Sequence, residues 1–194
     1  MMVFTHGLVG ILFAALLAPF FPGSTLSLVA AGLVGGLFPD ADMLFIHRRT
    51  LHFPVVSTAL ALALGAVLAV TMSQPVALLF VAVAASAAHC LMDTLGGGKE
   101  MRPWRETDDR AVYDHVQGRW IAPRRVFYDG SLPDLGLSVA AGGAAAVLLP
   151  AQFTLPVAAL VGFAVLYTAI RRAITRWIPE EYTTFSGYIQ SKLQ

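Results

Sequence analysis

Residues 53–92 read FPVVSTALALALGAVLAVTMSQPVALLFVAVAASAAHCLM and contain no Asp, Glu, Lys or Arg. A helix needs about 20 apolar residues to cross the roughly 30 Å hydrocarbon core of a bilayer, so this stretch is long enough for two crossings. The turn-forming sequence Ser73-Gln74-Pro75 lies near its middle. The stretch therefore predicts a helical hairpin whose two ends lie on the same side of a membrane.

Two further uncharged stretches, residues 7–39 and 135–170, repeat this pattern with proline-containing turns at residues 19–24 and 150–156. Because backbone groups in lipid must be hydrogen-bonded within the chain, all three stretches are expected to be helical. The sequence thus predicts an all-α polytopic membrane protein with about six transmembrane helices in three hairpins. Their expected bounds are 5–19, 24–38, 54–72, 75–95, 135–150 and 155–177, the fifth being short for a full crossing.

The composition favours a membrane protein over a soluble one. Of the 194 residues, 57% are hydrophobic and 13% are charged, and the mean hydropathy is +0.69, whereas soluble domains carry about 25% charged residues. All 13 Lys and Arg residues lie on the side of the predicted hairpins that holds both termini. The positive-inside rule places this side and both termini in the cytoplasm, and the chain in the inner (cytoplasmic) cell membrane.

The charge balance gives no indication of nucleic-acid binding, and the cysteine count excludes an intramolecular disulfide. The formal net charge is +1, and no basic stripe with interleaved aromatic residues indicates nucleic-acid binding. Cys90 is the single cysteine, so no intramolecular disulfide forms. The lipid bilayer is the expected partner. The oligomeric state stays open, because the small-residue pair Gly32 and Gly36 suits packing within a chain and between chains equally well.

A single membrane domain is expected over residues 1–194. Residues 1–95 would form four helices that carry the candidate site, and residues 134–194 the last helical hairpin and a tail. Between them, residues 96–133 form a polar segment that includes Trp104, Tyr113 and Trp120. A polar segment of this length with interfacial aromatic residues predicts a cap over the cytoplasmic face rather than a linker.

Polar residues gather at four predicted helix ends on the charged side of the membrane. The clusters are Thr5-His6, Pro39-Asp40-Ala41-Asp42, His47-Arg48-Arg49-Thr50-Leu51-His52 and His89-Cys90-Leu91-Met92-Asp93. His89 and Asp93 are four residues apart and project from one helical face, so they can bind one metal ion or form an ion pair. Asp40 and Asp42 follow a proline in an irregular turn, which can aim them at a cation or cap a short helix.

The remaining polar residues suit a metal site that binds phosphate. His6, His47 and His52 offer the imidazole nitrogens that accompany carboxylates around zinc, although each alone is equally explained as a helix-capping or headgroup contact. Arg48 and Arg49 can bind a phosphate through paired hydrogen bonds, or can serve as positive-inside charges.

The order and spacing of these motifs resemble the YdjM-like family of inner-membrane metal-dependent hydrolases. The resemblance covers roughly residues 1–100 and rests on His6, Pro39-Asp40-Ala41-Asp42, His47-Arg48 with His52, and Ala88-His89 with Asp93-Thr94. It implies a membrane-embedded hydrolase that binds a divalent metal ion, zinc being the expected one. The implied metal ligands are His6, Asp40, His52, His89 and Asp93.

A more distant similarity connects the order His, Asp, His, HxxxD with zinc-dependent phospholipase C and the related P1-type nucleases. These all-helical enzymes hydrolyse phosphate esters with a cluster of zinc ions and carry a further HxxxE pair. Here His115 is followed four residues later by Arg119 instead of Glu. The similarity therefore implies a site with fewer ions than theirs, one or two.

The leading hypothesis is a cytoplasm-facing hydrolase of phosphate esters, with a lipid as a candidate substrate because the site would lie at headgroup depth. A metal-activated water would be the nucleophile. Asp42 and His47 would take part in catalysis, Asp40 being the other candidate for a base, and Arg48 and Arg49 would bind the phosphate.

Two alternatives remain open at this stage. In the first, a structural metal or an ion-pair cluster locks the helix ends of a membrane scaffold without enzymatic activity. In the second, His89 and Asp93 form the proton or cation relay of a transporter, since ionisable residues near membrane depth often serve that role.

Overall fold

Six α-helices account for most of residues 1–179, the part of the chain that the computed structural model describes. They are α1 (Val3–Leu17), α2 (Thr25–Leu37), α3 (Pro54–Thr71), α4 (Gln74–Leu95), α5 (Leu132–Leu148) and α6 (Thr154–Arg176). Each predicted helix end lies within three residues of the observed one, and the predicted helical class is confirmed. The tail expected over residues 180–194 lies outside the described residues.

Five of these helical segments are long and apolar enough to cross a membrane. The spans are Val3–Phe20, Thr25–Leu44, Pro54–Thr71, Gln74–Leu95 and Ala151–Trp177, with mean hydropathies from 1.3 to 2.0. Each begins or ends at one of the turns that the sequence places near the middle of an uncharged stretch. Within the described chain α5 is the shorter apolar helix, with 17 residues, as its sequence predicts.

Helix α1 packs against α2, α4, α5 and α6, whereas α3 packs mainly against α4. Small residues allow the closest of these approaches: a Cβ atom at Gly32 of α2 would lie 2.1 Å from the carbonyl oxygen of Gly10 in α1. Backbones approach this closely in lipid where side chains are small, because association there depends on van der Waals packing. The small-residue face of α2 is therefore used for packing within the chain.

A hydrogen-bond network fixes the start of α1 against the start of α5. The carboxylate of Asp134 accepts hydrogen bonds from the Met2 N–H (2.8 Å) and the Thr5 hydroxyl (2.7 Å). Thr5 also lies 2.7 Å from the Ser138 hydroxyl. All four residues are buried, so the network holds the next residue, His6, in a defined position.

The polar segment between α4 and α5 folds against the helix ends. It contains an antiparallel pair of strands, β1 (Val112–Asp114) and β2 (Arg119–Ile121), which the sequence analysis did not predict. The Arg124 N–H donates to the Thr94 carbonyl oxygen at the end of α4. From α6, Arg171 binds the Asp129 carboxylate (2.6 Å) and the Met101 carbonyl oxygen (2.8 Å). We call residues 96–131 the cap segment.

Candidate metal centre

Six of the predicted site residues meet at the end of the bundle that the cap segment contacts. They are His6 in α1, Asp40 and Asp42 in the 3₁₀ segment Phe38–Leu44, His52 just before α3, and His89 and Asp93 in the last turns of α4. Five of them are at most 2% exposed, Asp40 being the exception. Residues far apart in sequence thus converge because every hairpin begins and ends on this side.

Four of these residues form a group that could hold a metal ion: Asp40, His52, His89 and Asp93 each offer one ligand atom, all within 4.8 Å of one another. His89 Nε2 lies 3.4 Å from Asp40 Oδ1 and 3.6 Å from Asp93 Oδ2, and His52 Nε2 lies 3.4 Å from the same Asp93 oxygen. An ion bound tetrahedrally at about 2.0–2.1 Å places neighbouring ligand atoms about 3.3 Å apart. These three separations therefore fit one small divalent ion.

The protonation of the two histidines also suits a cation. His89 Nδ1 lies 2.7 Å from the Gly36 carbonyl oxygen, and His52 Nδ1 lies 2.9 Å from Asp42 Oδ2. Since these oxygens accept, each Nδ1 carries the proton and each Nε2 presents a lone pair. Both Nε2 atoms are buried and have no hydrogen-bond partner among the described residues. In neutral rings these lone pairs face carboxylate oxygens across 3.4–3.6 Å. Either a metal ion between them or protonation of the rings to form ion pairs would satisfy both sets of atoms.

Asp42 lies outside this group and holds two histidines in place. Its Oδ1 is 2.9 Å from His47 Nδ1, and its Oδ2 is 2.9 Å from His52 Nδ1 and 3.2 Å from the Leu51 N–H. Both carboxylate oxygens are therefore engaged by protein donors. A carboxylate behind a ligating histidine fixes the ring and raises its basicity, so this geometry favours a positioning role for Asp42. Its predicted catalytic role remains a prediction.

His6, the fifth predicted ligand, is adjacent to the four-residue group without belonging to it. Its ring stacks on that of His89 with a centroid separation of 3.6 Å and an interplanar angle of 21°. Its Nε2 lies 3.3 Å from Asp93 Oδ1, yet neither ring nitrogen has a hydrogen-bond partner within residues 1–179. His6 therefore contacts the centre from the side of α1, and its predicted role as a ligand stays a prediction.

Two cationic groups contact Asp93 in addition to the histidines. The amino nitrogen of Met1 lies 2.8 Å from Oδ1, and Arg48 Nε lies 3.4 Å from Oδ2. Arg48 is 7% exposed, and its Nη1 donates to the carbonyl oxygens of Gly97 (2.7 Å) and Gly98 (3.1 Å). Arg48 thus links the centre to the cap segment. Its role in binding phosphate stays a prediction, and the guanidinium that would do so is already held by these carbonyl oxygens.

Strand β1 holds the backbone at Arg48. Arg48 has a φ of 63°, a left-handed conformation uncommon for residues other than glycine. The Tyr113 N–H donates to its carbonyl oxygen at 2.9 Å. Next along the chain, Arg49 is exposed, and its guanidinium lies 4.5 Å from the centre of the Tyr113 ring. Its predicted contact with phosphate stays a prediction, and this position is outside the cavity described next.

A cavity of about 330 Å³ adjoins the metal centre. Ligand pockets in proteins typically measure about 300–1,000 Å³, so this cavity can hold a small molecule or the head of a larger one. Asp40, His47 and Arg48 line it on the side of the centre. The cap segment contributes Lys99, Glu100 and Met101, and helices α1 and α6 contribute Val3, Phe4, Tyr167, Arg171 and Ile174.

His47 lies at the boundary between the centre and this cavity. Burial lowers the pKa of His47, and its hydrogen bond to Asp42 opposes that shift. The neutral imidazole is therefore favoured, with Nδ1–H donating to Asp42 and Nε2 left as an acceptor. This arrangement is compatible with the predicted catalytic role of His47, which remains a prediction.

The cap residues Lys99 and Glu100 also belong to the site, although no motif in the sequence predicts this. They follow Gly96-Gly97-Gly98, a glycine run that has no helical or strand periodicity. The carbonyl oxygens of Gly97 and Gly98, which bind Arg48, help to hold these residues at the cavity. The one sequence feature that could indicate their position is the glycine run after the HxxxD motif. Glycine often occurs where the backbone approaches another group closely.

The fold and the site together define a multi-helix membrane protein with a buried histidine–aspartate centre under a polar cap segment. The model of the YdjM inner membrane protein family matches residues 1–178, so the chain belongs to this family and the resemblance read from the motifs is confirmed. Among curated proteins and among solved structures, no significant match is found.

Proposed function

We propose that this protein is a metal-dependent hydrolase of phosphate esters that works at the cytoplasmic face of the inner membrane. The observation that carries this proposal is the pair of buried imidazole Nε2 atoms of His52 and His89, which face Asp40 and Asp93 across 3.4–3.6 Å beside a cavity. A cation between the imidazole nitrogens and the carboxylate oxygens would explain this arrangement. The cavity gives a substrate access to that cation.

The four-residue group would hold one divalent ion, and zinc suits its mixed imidazole and carboxylate donors. When bound, the ion would polarise a phosphoryl oxygen and lower the pKa of a water molecule to about 7. Asp42 keeps His52 in the tautomer that leaves Nε2 free. Asp40, whose side chain is 18% exposed, lies where the centre meets the cavity and is the carboxylate best placed to accept a proton.

Positive charge along the cavity would bind the phosphate. Arg48 and Lys99 line it, and an anionic substrate is stabilised where donors are fixed before it arrives. Arg48 is fixed by the Gly97 and Gly98 carbonyl oxygens, and Lys99 lies 4.8 Å from the centre of the Trp120 ring. These groups would therefore orient the phosphate without large rearrangement.

We further propose that the hairpins place both termini and the metal centre in the cytoplasm, with α5 as a short sixth crossing. Within residues 1–179 the Lys and Arg residues lie next to His47, in the cap segment or in the last turns of α6, on the side of the metal centre. The positive-inside rule assigns that side to the cytoplasm. The centre then lies at the depth of lipid headgroups, so a lipid phosphate is the favoured kind of substrate.

The first test is the metal content of protein purified in detergent, measured by mass spectrometry for the wild type and for His89→Ala. The matched control is His115→Ala, an exposed histidine in the cap segment. We expect one or two equivalents of zinc or a similar ion in the wild type and the control, and a loss in His89→Ala. Hydrolysis of phosphate esters by the loaded protein would follow. Wild-type protein that stays metal-free after reconstitution would contradict the proposal.

A structural metal is the second candidate function, favoured by one observation. Four protein ligands complete a tetrahedral site, whereas catalytic zinc usually has three protein ligands and an open position. Under this alternative, His89→Ala would unfold in detergent along with losing the ion. Under the hydrolase proposal, a folded and monodisperse His89→Ala would lose turnover.

A further inference from the structure

Glu100 is a buried acidic residue whose partners the protein does not supply. It lies in the cap segment and is 7% exposed. Neither Oε1 nor Oε2 has a hydrogen-bond partner within the described residues. Leaving a carboxyl group buried and unpaired costs free energy, and Glu100 lines the same cavity as Asp40 and His47. A ligand in the cavity can supply the missing partner.

A short series of contacts connects Glu100 to the metal centre. Gly98 lies against the carboxyl group, because a Cβ atom there would be 2.3 Å from Glu100 Oε2. The Gly98 carbonyl oxygen is 3.1 Å from Arg48 Nη1, and Arg48 Nε is 3.4 Å from Asp93 Oδ2. These contacts fix Glu100 in the cavity wall, where it can reach the leaving oxygen of a phosphate that Arg48 binds.

The surroundings of Glu100 favour its protonated form. Burial raises the pKa of Glu100 and the nearby Asp108 carboxylate raises it further, while its own backbone N–H, Arg125 and Arg48 oppose the shift. The result is a pKa above the ordinary range for glutamic acid. Lys99, the neighbouring residue, also lines the cavity. A carboxyl group with a raised pKa keeps its proton to a higher pH than an ordinary glutamic acid and can then donate it.

Part of the cavity wall is apolar, at the start of α1 and around the end of α6, beside the polar residues Asp129, Tyr167 and Arg171. Val3, Phe4, Ile174 and Ile178 line it, and Phe4 stacks on Phe163 of α6 with ring centroids 5.9 Å apart. Apolar side chains at the end of two membrane-spanning helices suit a hydrocarbon chain that reaches the cavity from the bilayer. The part of the substrate that leaves the phosphorus is therefore expected to be aliphatic.

We propose that Glu100 donates the proton to the leaving oxygen of an aliphatic phosphate ester whose hydrocarbon part lies between α1 and α6. This inference rests on the proposed hydrolase function. In the reaction, the oxygen of a water molecule forms a new bond to phosphorus and the water loses one proton. The bond from phosphorus to the ester oxygen breaks with its electron pair on that oxygen, which takes the proton of Glu100. The proton lost by water restores the Glu100 carboxyl group, so the net change is the consumption of one water.

The experiment compares two esters that differ in their need for this proton. Dodecyl phosphate releases an alkoxide that must be protonated, whereas p-nitrophenyl phosphate releases an anion that is stable without a proton. For Glu100→Gln we expect kcat on dodecyl phosphate to fall by about 10²–10⁴-fold, the usual contribution of general acid catalysis, and kcat on p-nitrophenyl phosphate to change little. Glu100→Asp should restore part of the loss. Glu106→Gln, a cap variant whose side chain is 65% exposed in the native chain, should leave both rates unchanged.

A second readout does not depend on turnover. Infrared difference spectra of chelator-treated protein with dodecyl phosphate at neutral pH should show the carbonyl stretch of a protonated carboxyl group in the wild type, absent in Glu100→Gln. An ionised Glu100 in this measurement overturns the proposal. Equal loss of both activities in Glu100→Gln, or no loss, overturns it while leaving the hydrolase function standing. A metal-loaded wild type that hydrolyses neither ester overturns the hydrolase function and this inference with it.

Discussion

Asp42 Oδ2 lies 2.9 Å from His52 Nδ1, and this contact determines which nitrogen of His52 faces the metal centre. Because an ionised carboxylate only accepts hydrogen bonds, Nδ1 must carry the proton. Nε2 then presents its lone pair 3.4 Å from Asp93 Oδ2. Asp42 contributes no ligand atom to the four-residue group, yet it determines the tautomer of His52, which does contribute one.

The first prediction follows from this contact. Asp42→Asn keeps the shape of the side chain but removes its charge, so it should weaken zinc binding by about 10–100-fold, the usual effect of altering a partner behind a metal ligand. Competition with a fluorescent chelator in detergent measures the affinity. Asp109→Asn, at a cap carboxylate that is 85% exposed, is the control and should bind as the wild type does. Equal affinities for both variants would show that Asp42 does not support the centre.

The second prediction concerns stability and bound metal. An ion that binds the folded protein and not the unfolded one adds about 2.7 kcal/mol at a free concentration of 100 times its Kd. Zinc should therefore raise the Tm of the wild type in detergent, and a chelator should reverse the shift. His52→Ala removes one of the four proposed metal ligands, so zinc should not raise its Tm. The Tm of His115→Ala should rise with zinc as that of the wild type does. A zinc-dependent shift of equal size in His52→Ala would place the ion elsewhere.

The helices could be predicted because charge is absent from long stretches of the sequence. Residues 53–92 have no charged side chain to place in lipid, and a single turn at Ser73–Pro75 is enough to divide them. The convergence of His6, Asp40, His52 and His89 follows from the same logic, since three hairpins that start on one side also end there. Distances within the cluster depend on packing and could not be read from spacing.

What the sequence could not provide is the role of residues held by the irregular backbone. Asp40 and Asp42 are the same residue type, so the sequence alone does not distinguish their roles. The 3₁₀ segment that contains them directs Asp40 to the four-residue group and Asp42 to His47 and His52. The position of Glu100 depends on the contacts of Gly98 with Arg48. Neither arrangement has a periodic pattern that sequence reasoning can detect.

The third prediction tests the close approach of α1 and α2 beneath the centre. A Cβ atom at Gly36 would lie 2.4 Å from the His6 carbonyl oxygen, and the Gly36 carbonyl oxygen binds His89 Nδ1. Gly36→Ala should therefore destabilise the protein by about 1–3 kcal/mol, as overpacking does, and should reduce metal content. Gly143→Ala in α5 is the matched control, since no atom lies within 4 Å of its Cβ position. Thermal unfolding in detergent and mass spectrometry measure the two effects, and a Gly36→Ala protein as stable as Gly143→Ala would contradict this packing.

The fourth prediction is a pH dependence from Glu100. Burial raises the pKa of Glu100 in the folded protein, whereas in the unfolded chain it ionises at about pH 4.3. Above that pH the unfolded state loses a proton that the folded state retains, so the free energy of unfolding of the wild type falls as pH rises, until the folded group ionises too. Glu100→Gln lacks this dependence. Its stability relative to the wild type should therefore increase from pH 4.3 upward, as denaturant unfolding in detergent at a series of pH values would show. The metal ligands titrate in both proteins, so their contribution cancels in the stability difference between variant and wild type. For the exposed Glu106→Gln this difference should stay constant with pH. A constant difference for Glu100→Gln would mean that Glu100 ionises alike in the folded and unfolded states.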